Sequence, residues 1–423
     1  MNNPVKYIII LLCLPVFPVR AQEEKQVLTF AGYLNRVRNV NIDYLAEKYS
    51  VEIAEANAKA AGVFPDPELS ASYSDNQNRK LRMGYSVDAG LNYTLELGGK
   101  RNARMRVAQS EKEVTAALLE DYFRHLRADA AIAYLTALKQ QELYGIQKSS
   151  YAQMLELARA DSIRFLLGEI TEVDARQSRL EAAAMLDGLL SVEGDLQDIL
   201  AQLLLFQGDA ATELPDSVAG ALSCPERTFD PAALVTAAQN NRADLQAALK
   251  AGEVSQQNLK LAKANRAIDL GISIGGSYSS VVRNEIAPAP AFKGITAGVS
   301  IPLKFSNANR GALRVARLTA EQRERQYEAI ELQTGSEVMR AYNRYRIACR
   351  RVEHFDAGLL HDADLIFQKK KYSYGRGETS ILEVLNARRT YNDVRINYSE
   401  ALFDCAAALV ELERACGIWD IEL

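Results

Sequence analysis

The chain has 423 residues, of which 25% are charged and 48% are hydrophobic, and its formal net charge is −4. A chain of this length is long enough for about two to four domains. Because no strongly basic surface is predicted, we expect no nucleic-acid partner.

The first 21 residues are typical of a secretory signal peptide. Lys6 precedes an apolar run over 7–14 that is too short to cross a bilayer, and residues 19–21 (Val-Arg-Ala) have the pattern of a cleavage site. A short N-terminal anchor helix is the alternative. No later segment has an apolar run long enough to predict a transmembrane helix.

The following segments change from a helical to a strand-like pattern. Residues 28–62 contain few helix breakers and are predicted to be helical. From 81 to 97 every odd position is apolar and every even position is small, polar or charged, which predicts a strand with one apolar and one polar face. A shorter strand is predicted over about 69–75. A proline-free stretch then predicts a long helical hairpin over about 100–206.

The same series occurs again in the second half of the chain. Strands are predicted over about 268–282 and 292–305, followed by a second helical hairpin over about 308–416. Short pieces also match between the halves, such as Arg-Val-Ala at 106–108 and at 314–316, and such self-similarity predicts a duplicated structural unit. The signal peptide, first repeat, proline-containing linker and second repeat are assigned to 1–21, 22–214, 215–231 and 232–423.

Both hairpins carry features of coiled coils. In the second hairpin, apolar residues recur at alternating three- and four-residue steps, which is a heptad pattern. On its outgoing arm these residues are Val338, Ala341, Tyr345, Ala348, Val352, Phe355 and Leu359. Each hairpin is predicted to turn at a glycine, Gly168 or Gly377, inside the sequence Gly-Glu-x-Thr/Ser. The glycine is expected to end one helix, and the hydroxyl residue to cap the next.

The four predicted strands favour a membrane sheet. A soluble β-sandwich would show the same alternation but has about seven strands. Four strands leave two open edges, which lipid does not tolerate because the edge backbone groups lack partners. Two chains would close an eight-stranded barrel filled by side chains, whereas three would close a 12-stranded barrel with room for water. Candidate aromatic residues at the lipid interface are Tyr73, Tyr85, Tyr93, Tyr278, Phe292 and Phe305.

Two motifs at the predicted turns carry a family resemblance. They are Gly-Glu-Ile-Thr-Glu-Val-Asp at 168–174 and Gly-Glu-Thr-Ser-Ile-Leu-Glu-Val-Leu-Asn-Ala at 377–387. With the duplicated architecture, they make the chain similar to the TolC family of outer-membrane efflux proteins, over essentially the whole mature sequence. The stretch Leu-Glu-Leu-Gly-Gly-Lys-Arg at 95–101 resembles the heavy-metal-efflux branch of that family.

The resemblance implies a mostly α-helical fold with membrane β-strands. It implies a homotrimer that forms a 12-stranded β-barrel in outer-membrane lipid, continued by a periplasmic α-helical barrel. It also implies that the duct docks onto a periplasmic adaptor protein and an inner-membrane pump. The expected function is therefore a passive duct for small molecules or metal ions, in the outer membrane of a Gram-negative bacterium.

The same resemblance places a constriction at the hairpin tips, with rings of acidic side chains. Glu383 matches an acidic ring residue, and Asn386 stands where a second acid is often found. Tyr374 matches a tip tyrosine, and Glu172 and Asp174 are the candidates from the first repeat. A ring of carboxylates would attract cations at this neck.

Two points at the tips stay open. Thr379 stands where some relatives have arginine, so the corresponding latch is not expected from this residue. Glu383 is either a residue of the ring or an ordinary solvated helix residue.

No catalytic, cofactor or metal site is expected. Residues 271–275 match the Gly-x-Ser-x-Gly pattern of hydrolases, but they lie within a predicted strand rather than at a strand-to-helix turn. His354, His361 and Cys349 are too few for a convincing metal site. Cys349 and Cys405 stand equally far from Gly377 along the chain, so they are expected to face each other, and a disulfide between them is left open.

Two other classes of protein remain as alternatives. A periplasmic adaptor protein also has a long hairpin, but it has only one and carries compact β-domains. A coiled-coil scaffold would explain the heptads but not the amphipathic strands.

Overall fold

The computed structural model describes residues 27–75, 81–210, 213–225, 227–303 and 310–420. Within these residues, helices α1 to α9 span Phe30–Val40, Ile42–Ala60, Lys100–Leu166, Glu172–Phe206, Pro231–Asn241, Ala243–Ala264, Arg310–His354, Leu360–Gly375 and Ile381–Cys416. Strands β1 to β6 span Val27–Leu28, Glu68–Asp75, Tyr85–Leu95, Ser217–Val218, Leu270–Ser279 and Phe292–Ser300. The expected signal peptide lies outside the described residues, as does Phe305.

The helical segment predicted over 28–62 is divided in two at Asn41. The Asn41 side chain accepts a hydrogen bond of 2.8 Å from the backbone N–H of Tyr44 and so caps α2. Its amide also donates to the backbone oxygen of Phe206, at 2.9 Å, at the end of α4. The break therefore fastens the N-terminal helices to the base of the first hairpin.

Four strands form an antiparallel sheet in the order β2-β3-β5-β6. Strand β3 is shorter than predicted, because it begins at Tyr85 rather than at 81 and ends at Leu95. Gly98 and Gly99 follow it with φ of +73° and +71°, a backbone region that favours glycine, and α3 begins directly after them.

The register of the strands separates an apolar from a polar face. Apolar side chains align in rows across the sheet, such as Leu69, Leu91, Ile274 and Ala297. Small and polar side chains align on the other face, such as Ser70, Gly90, Gly275 and Thr296. The apolar side chains are exposed in this chain, with Leu69 at 76% and Ile295 at 88%. In the described residues, β2 and β6 each pair on one side only, so both edges of the sheet are open.

The register places the aromatic residues that were predicted at the lipid interface on two different faces of the sheet. The ring centroids of Tyr73 and Tyr85 lie 6.0 Å apart, as do those of Tyr85 and Tyr278, so these three tyrosines form one cluster on the apolar face. Phe292 pairs with Ser279, while its neighbour Lys293 pairs with Tyr278. Because side chains alternate along a strand, Phe292 lies on the polar face, and its prediction as an aromatic residue at the lipid interface was wrong.

The first hairpin is formed by two continuous helices, α3 and α4. Helix α3 has 67 residues and is therefore roughly 100 Å long. None of the described helices is apolar over a length that would let it cross a membrane.

The outgoing arm of the second hairpin is not one helix, as predicted, but two. Helix α7 ends at His354, a π-helical turn follows over Phe355–Leu359, and α8 begins at Leu360. Within this turn Gly358 has a φ of +119°. A π-turn adds a residue and rotates the following helix, which shifts the heptad frame. Phe355 is accordingly buried, whereas Leu359 at the next expected seam position is 39% exposed.

The sheet is fastened to the helices at the start of α3. The Lys100 ammonium lies 2.6 Å from the Asp269 carboxylate, and the Lys100 side chain is only 8% exposed. Arg101 donates from Nε to the backbone oxygen of Gly62 at 2.6 Å, and Arg104 pairs with Glu96 at 2.8 Å. The basic residues that end the 95–101 stretch thus have a structural role at the strand-to-helix joint.

The segment predicted as a linker is docked against the helices. Strand β4 pairs in parallel with β1, and the Tyr134 hydroxyl bridges the two backbones through the oxygens of Leu28 and Ala219. A disulfide joins Cys224 in this segment to Cys405 on α9. Cys349 does face Cys405, with 3.5 Å between the sulfurs, but the bridge is made by Cys224, which the sequence analysis had not considered.

Candidate functional site

Both hairpin tips close with the same backbone motif. At the first tip, the N–H of Gly168 donates to the oxygen of Phe165 and the N–H of Glu169 donates to that of Arg164, each at 2.9 Å. At the second tip, Gly377 and Glu378 make the equivalent bonds to Tyr374 and Ser373, each at 3.0 Å. This is the Schellman motif, and both glycines have the positive φ of +77° that it requires.

The next helix of each tip begins at a hydroxyl residue. Thr171 accepts a hydrogen bond from the N–H of Asp174 at 3.2 Å, and its hydroxyl donates to the Asp174 carboxylate at 2.7 Å. Ser380 accepts from the N–H of Glu383 at 3.4 Å. The acidic side chains in these first turns also suit the positive end of the helix dipole.

A buried hydrogen bond joins the two hairpins close to the tips. The Tyr374 hydroxyl, at the end of α8, donates to Oδ1 of Asp161 on α3 over 2.8 Å. Asp161 is 0% exposed and Tyr374 is 6% exposed. The guanidinium of Arg164 lies 5.0 Å from the centre of the Tyr374 ring and 4.0 Å from the Asp161 carboxylate. This Tyr374–Asp161 hydrogen bond is a buried polar contact between the two hairpins.

Burial shifts the acidity of both partners. It raises the pKa of the Asp161 carboxyl, and the hydrogen bond from Tyr374 opposes that rise. It also raises the pKa of the Tyr374 phenol, and the Asp161 charge raises it further, so the tyrosine keeps its proton and stays the donor. A buried hydrogen bond to a carboxylate is costly to break, because the charge is then left without its partner.

The hydrogen bond is surrounded by a small apolar cluster that draws on both hairpins. Its buried members are Met154, Ala158, Ala182, Phe367, Tyr374, Ile381, Val384 and Leu385. Arg388 follows on the same face of α9 and is 2% exposed. Its Nε and Nη2 have no hydrogen-bond partner among the described residues. Burial lowers the pKa of Arg388 to about 10, and the charge of Glu181 opposes this shift.

The structure brings only some of the predicted residues together. Tyr374 is in the buried contact, and the charge of Asp174 acts on it and on Asp161. Glu383 lies on the exposed face of α9 and pairs with Lys370 of α8 at 2.5 Å, while Asn386 is exposed on the same helix. Hydrogen bonds from Lys370 and Thr379 hold the pKa of Glu383 below its usual value.

Glu172 also lies away from the buried contact. It is exposed in the first turn of α4, and it accepts a hydrogen bond of 2.8 Å from Nε of Arg176 within that helix. The two acidic positions predicted from the first repeat therefore differ, since Asp174 faces the contact and Glu172 does not.

The sequence analysis missed Asp161, Arg164 and Arg388. A signal for two of them was present in the heptad pattern. Asp161 follows Met154 by seven residues, and Arg388 follows Ile381 by seven, so both are charged residues on an apolar seam. Charged residues at such positions are paired or functional more often than they are solvated.

Two long helical hairpins that carry a four-stranded sheet with an exposed apolar face define the subunit of an outer-membrane channel. The model of the outer membrane efflux protein family matches residues 34–208 and 234–418. The chain therefore belongs to the outer membrane efflux protein family.

Individual relatives agree with this assignment over most of the chain. The cobalt-zinc-cadmium resistance protein CzcC of Cupriavidus metallidurans is 25% identical over 404 residues, which are 95% of this chain and 92% of CzcC. The outer membrane protein TolC of Vibrio cholerae is 20% identical over 379 residues, 84% of this chain and 83% of TolC. The crystal structure of the CmeC outer membrane channel of Campylobacter jejuni superposes with a TM-score of 0.76 at 16% identity, and covers 92% of this chain and 85% of CmeC.

These findings confirm the function class predicted from the sequence. The protein is an outer-membrane channel component of a tripartite efflux system, and it is not an enzyme. The two alternatives, an adaptor protein and a coiled-coil scaffold, are set aside, because the family match covers both hairpins and each half of the sheet adjoins one of them.

Proposed function

We propose that three copies of this chain close into a 12-stranded barrel in the outer membrane, continued by a helical duct in the periplasm. The main support is that the sheet has two open edges, β2 and β6, and that one of its faces is apolar and exposed. Strand edges in lipid must pair with a neighbour, and cyclic symmetry closes such a ring. Three copies are favoured over two because the inner face is lined by serine, glycine and threonine, which suits a hydrated lumen.

The tyrosine cluster supports the same placement of the sheet. Tyr73, Tyr85 and Tyr278 lie together on the apolar face at the loop end of the strands. Tyrosines of membrane barrels gather where the apolar band meets the headgroups. The signal peptide over 1–21 and the division into repeats 22–214 and 232–423 belong to this proposal, and the two family-matched segments support the division.

The partners of the duct are a periplasmic adaptor protein and an inner-membrane pump. Members of the family are outer-membrane components of tripartite efflux systems, so the chain requires partners of these two kinds. For the cargo we propose divalent metal cations. The support is the similarity to CzcC, whose name records resistance to cobalt, zinc and cadmium.

The hairpin tips form the gate of the duct in this proposal. The closed state is held by the Tyr374–Asp161 hydrogen bond, which ties the two hairpins of one chain together. Glu383 and Asn386 project from the exposed face of α9, and Glu172 from that of α4, where threefold symmetry would arrange them in rings. Lys370 offsets the charge of Glu383, so the ring at that level is a weaker cation attractor than three lone carboxylates.

Two measurements test the proposal. The purified protein in detergent should have the mass of a trimer by native mass spectrometry and should form conducting pores in a planar bilayer. A monomer that conducts no current would refute the barrel. A deletion strain should become sensitive to cobalt, zinc or cadmium, and sensitivity only to dyes, bile salts or antibiotics would refute the proposed cargo while leaving the channel intact.

A further inference from the structure

Three cysteine sulfurs converge where the inter-repeat segment crosses the second hairpin. Sγ of Cys349 on α7 lies 3.6 Å from Sγ of Cys224 and 3.5 Å from Sγ of Cys405 on α9. All three sulfurs lie within 4.8 Å of one another. Cys405 is fully buried and the other two are half-buried. The three cysteines come from separate parts of the fold, so their meeting is a product of the tertiary structure.

The surroundings hold the three residues in place. Tyr345 lies one turn before Cys349 on α7, and its hydroxyl donates to the backbone oxygen of Pro225, next to Cys224, at 2.6 Å. The same hydroxyl accepts from the N–H of Arg227 at 3.3 Å. The inter-repeat segment is thus fixed at Pro225 and Arg227, just after Cys224. Cys405 is anchored in a buried apolar cluster with Tyr345.

The spacing of the sulfurs suits a bound cation. Thiolates that surround a tetrahedral zinc ion at about 2.3 Å stand roughly 3.8 Å from one another. Two of the three separations, 3.6 and 3.5 Å, are already close to that value. The third pair, Cys224 and Cys405, is joined as a disulfide, and reduction frees both sulfurs to move apart by a small rotation of their side chains.

We propose that the reduced form of these three cysteines is a binding site for one thiophilic divalent cation of the zinc and cadmium type. A phosphine reductant supplies two electrons and becomes the phosphine oxide, while water supplies its oxygen and the two protons that convert the disulfide into two thiols. Two molecules of a thiol reductant do the same by giving up two electrons and two protons and joining as a disulfide. The ion then displaces the three thiol protons and forms three metal–sulfur bonds, with water in a fourth position. Soft thiolates select such ions over magnesium or calcium.

The burial of the site favours a divalent over a monovalent cation. Three thiolates with a divalent ion leave one negative charge, whereas a monovalent ion would leave two. In a largely buried site the smaller residual charge is favoured. No metal site was expected from the sequence, because His354, His361 and Cys349 were too few ligands. The approach of Cys224 to the hairpin is visible only in the fold.

The site has a structural consequence. A bound ion ties the inter-repeat segment to both arms of the second hairpin, while the disulfide ties it to α9 alone. The site is separate from the hairpin tips, and it is independent of what the duct carries.

The test is a cadmium titration of the full-length trimer in detergent, after anaerobic treatment with a phosphine reductant. We expect one Cd2+ per chain, a sulfur-to-metal charge-transfer band in the ultraviolet and release of about three protons per ion. Because thiolates bind Cd2+ more tightly than Zn2+, the band should also appear when Cd2+ is added to the Zn2+-loaded protein. Cys349→Ser should weaken binding at least about 100-fold, since it removes one of three ligands. Cys416→Ser, which changes a buried cysteine on α9 that is not one of the three proposed ligands, should bind as the wild type does.

The fold of each variant is verified by the trimer mass and by pore conductance, which Cys349→Ser should leave unchanged. Cys224→Ser provides a second ligand variant that changes no helix. The proposal is overturned if the reduced wild type gives no charge-transfer band at one equivalent of Cd2+. It is equally overturned if Cys349→Ser and Cys224→Ser both bind as tightly as the wild type, or if the disulfide resists reduction in the folded trimer.

Discussion

The hydroxyl of Tyr374 allows a direct test of how the tips are held closed. The substitution Tyr374→Phe removes one oxygen atom and keeps the ring that packs in the apolar cluster. It deletes the 2.8 Å hydrogen bond to Asp161, so this fully buried carboxylate loses the donor on the other hairpin. Hydrogen bonds to charged groups contribute about 1.5–3 kcal/mol. Because the contact joins the two hairpins, that energy is lost from the closed state and not from a state in which the tips have separated.

The expected size of the effect follows from this energy. A difference of 1.5–3 kcal/mol changes an equilibrium constant roughly 10- to 150-fold, since about 1.4 kcal/mol corresponds to a factor of ten. We therefore expect the ratio of open to closed tips in each chain to rise by about that factor. Asp161→Asn should give a smaller rise, because its amide oxygen still accepts the hydrogen bond and the buried charge is removed.

The assay is single-channel recording in a planar bilayer, with the fraction of time in the conducting state as the readout. Tyr372→Phe is the matched control. It removes the hydroxyl of an exposed tyrosine two residues earlier, which accepts a long hydrogen bond of 3.4 Å from Arg376. If Tyr374→Phe conducts for the same fraction of time as the wild type and as Tyr372→Phe, then the Tyr374–Asp161 hydrogen bond does not hold the gate.

Three further substitutions test other parts of the structure. Arg388→Met replaces a buried guanidinium, of which Nε and Nη2 have no hydrogen-bond partner among the described residues, by an apolar chain of similar length. It should stabilise the closed tips by about 1–4 kcal/mol and slow proteolysis there, whereas the exposed Arg389→Met should change neither. Burial, followed by the hydrogen bond with Asp420, raises the pKa of Glu413 to about 8, so the contribution of Glu413 to the free energy of unfolding should be greatest below about pH 4.5 and fall as the pH rises to about 8. In Glu413→Gln, pH-dependent denaturation should lose roughly 5 kcal/mol of that fall, and an unchanged pH profile would contradict the assignment. Lys100→Met removes the ammonium group that pairs with the Asp269 carboxylate, and it should lower the free energy of unfolding of the trimer by about 2–4 kcal/mol in thermal unfolding. The control Lys250→Met breaks the more exposed pair with Glu113 and should cost less than about 1 kcal/mol.

The parts of the fold that follow from local geometry were predictable from the sequence. The apolar and polar faces of the strands were predicted correctly, because side chains alternate along any extended backbone. The register between strands then only has to align side chains of the same kind. The tips were predictable because a helix that ends in a left-handed residue requires a glycine, and Gly168 and Gly377 stand between long helical segments. The family and the function class could be recognised because these local features occur twice along the chain.

The remaining features depend on contacts between distant segments. Tyr374 was identified as a tip residue, but its partner Asp161 lies on the other hairpin, and no local rule brings the two together. Gly358 is unremarkable in a helical sequence, because a single glycine is tolerated there, and only the structure shows that it accompanies a π-turn. Cys405 was expected to face Cys349 across the hairpin, which it does, yet the disulfide goes to Cys224 because the inter-repeat segment folds back onto both helices.

The π-helical turn over Phe355–Leu359 makes the two hairpins mechanically unequal. Helix α3 runs without interruption for 67 residues and resists bending along its whole length. The corresponding arm of the second hairpin has a joint at Gly358, between α7 and α8, where the regular ladder of helical hydrogen bonds is broken. A force applied at the tips will therefore deflect α8 about this joint while α3 stays straight. If the tips form the gate as proposed, we expect the aperture to widen mainly by movement of the second hairpin, while the first hairpin keeps its position.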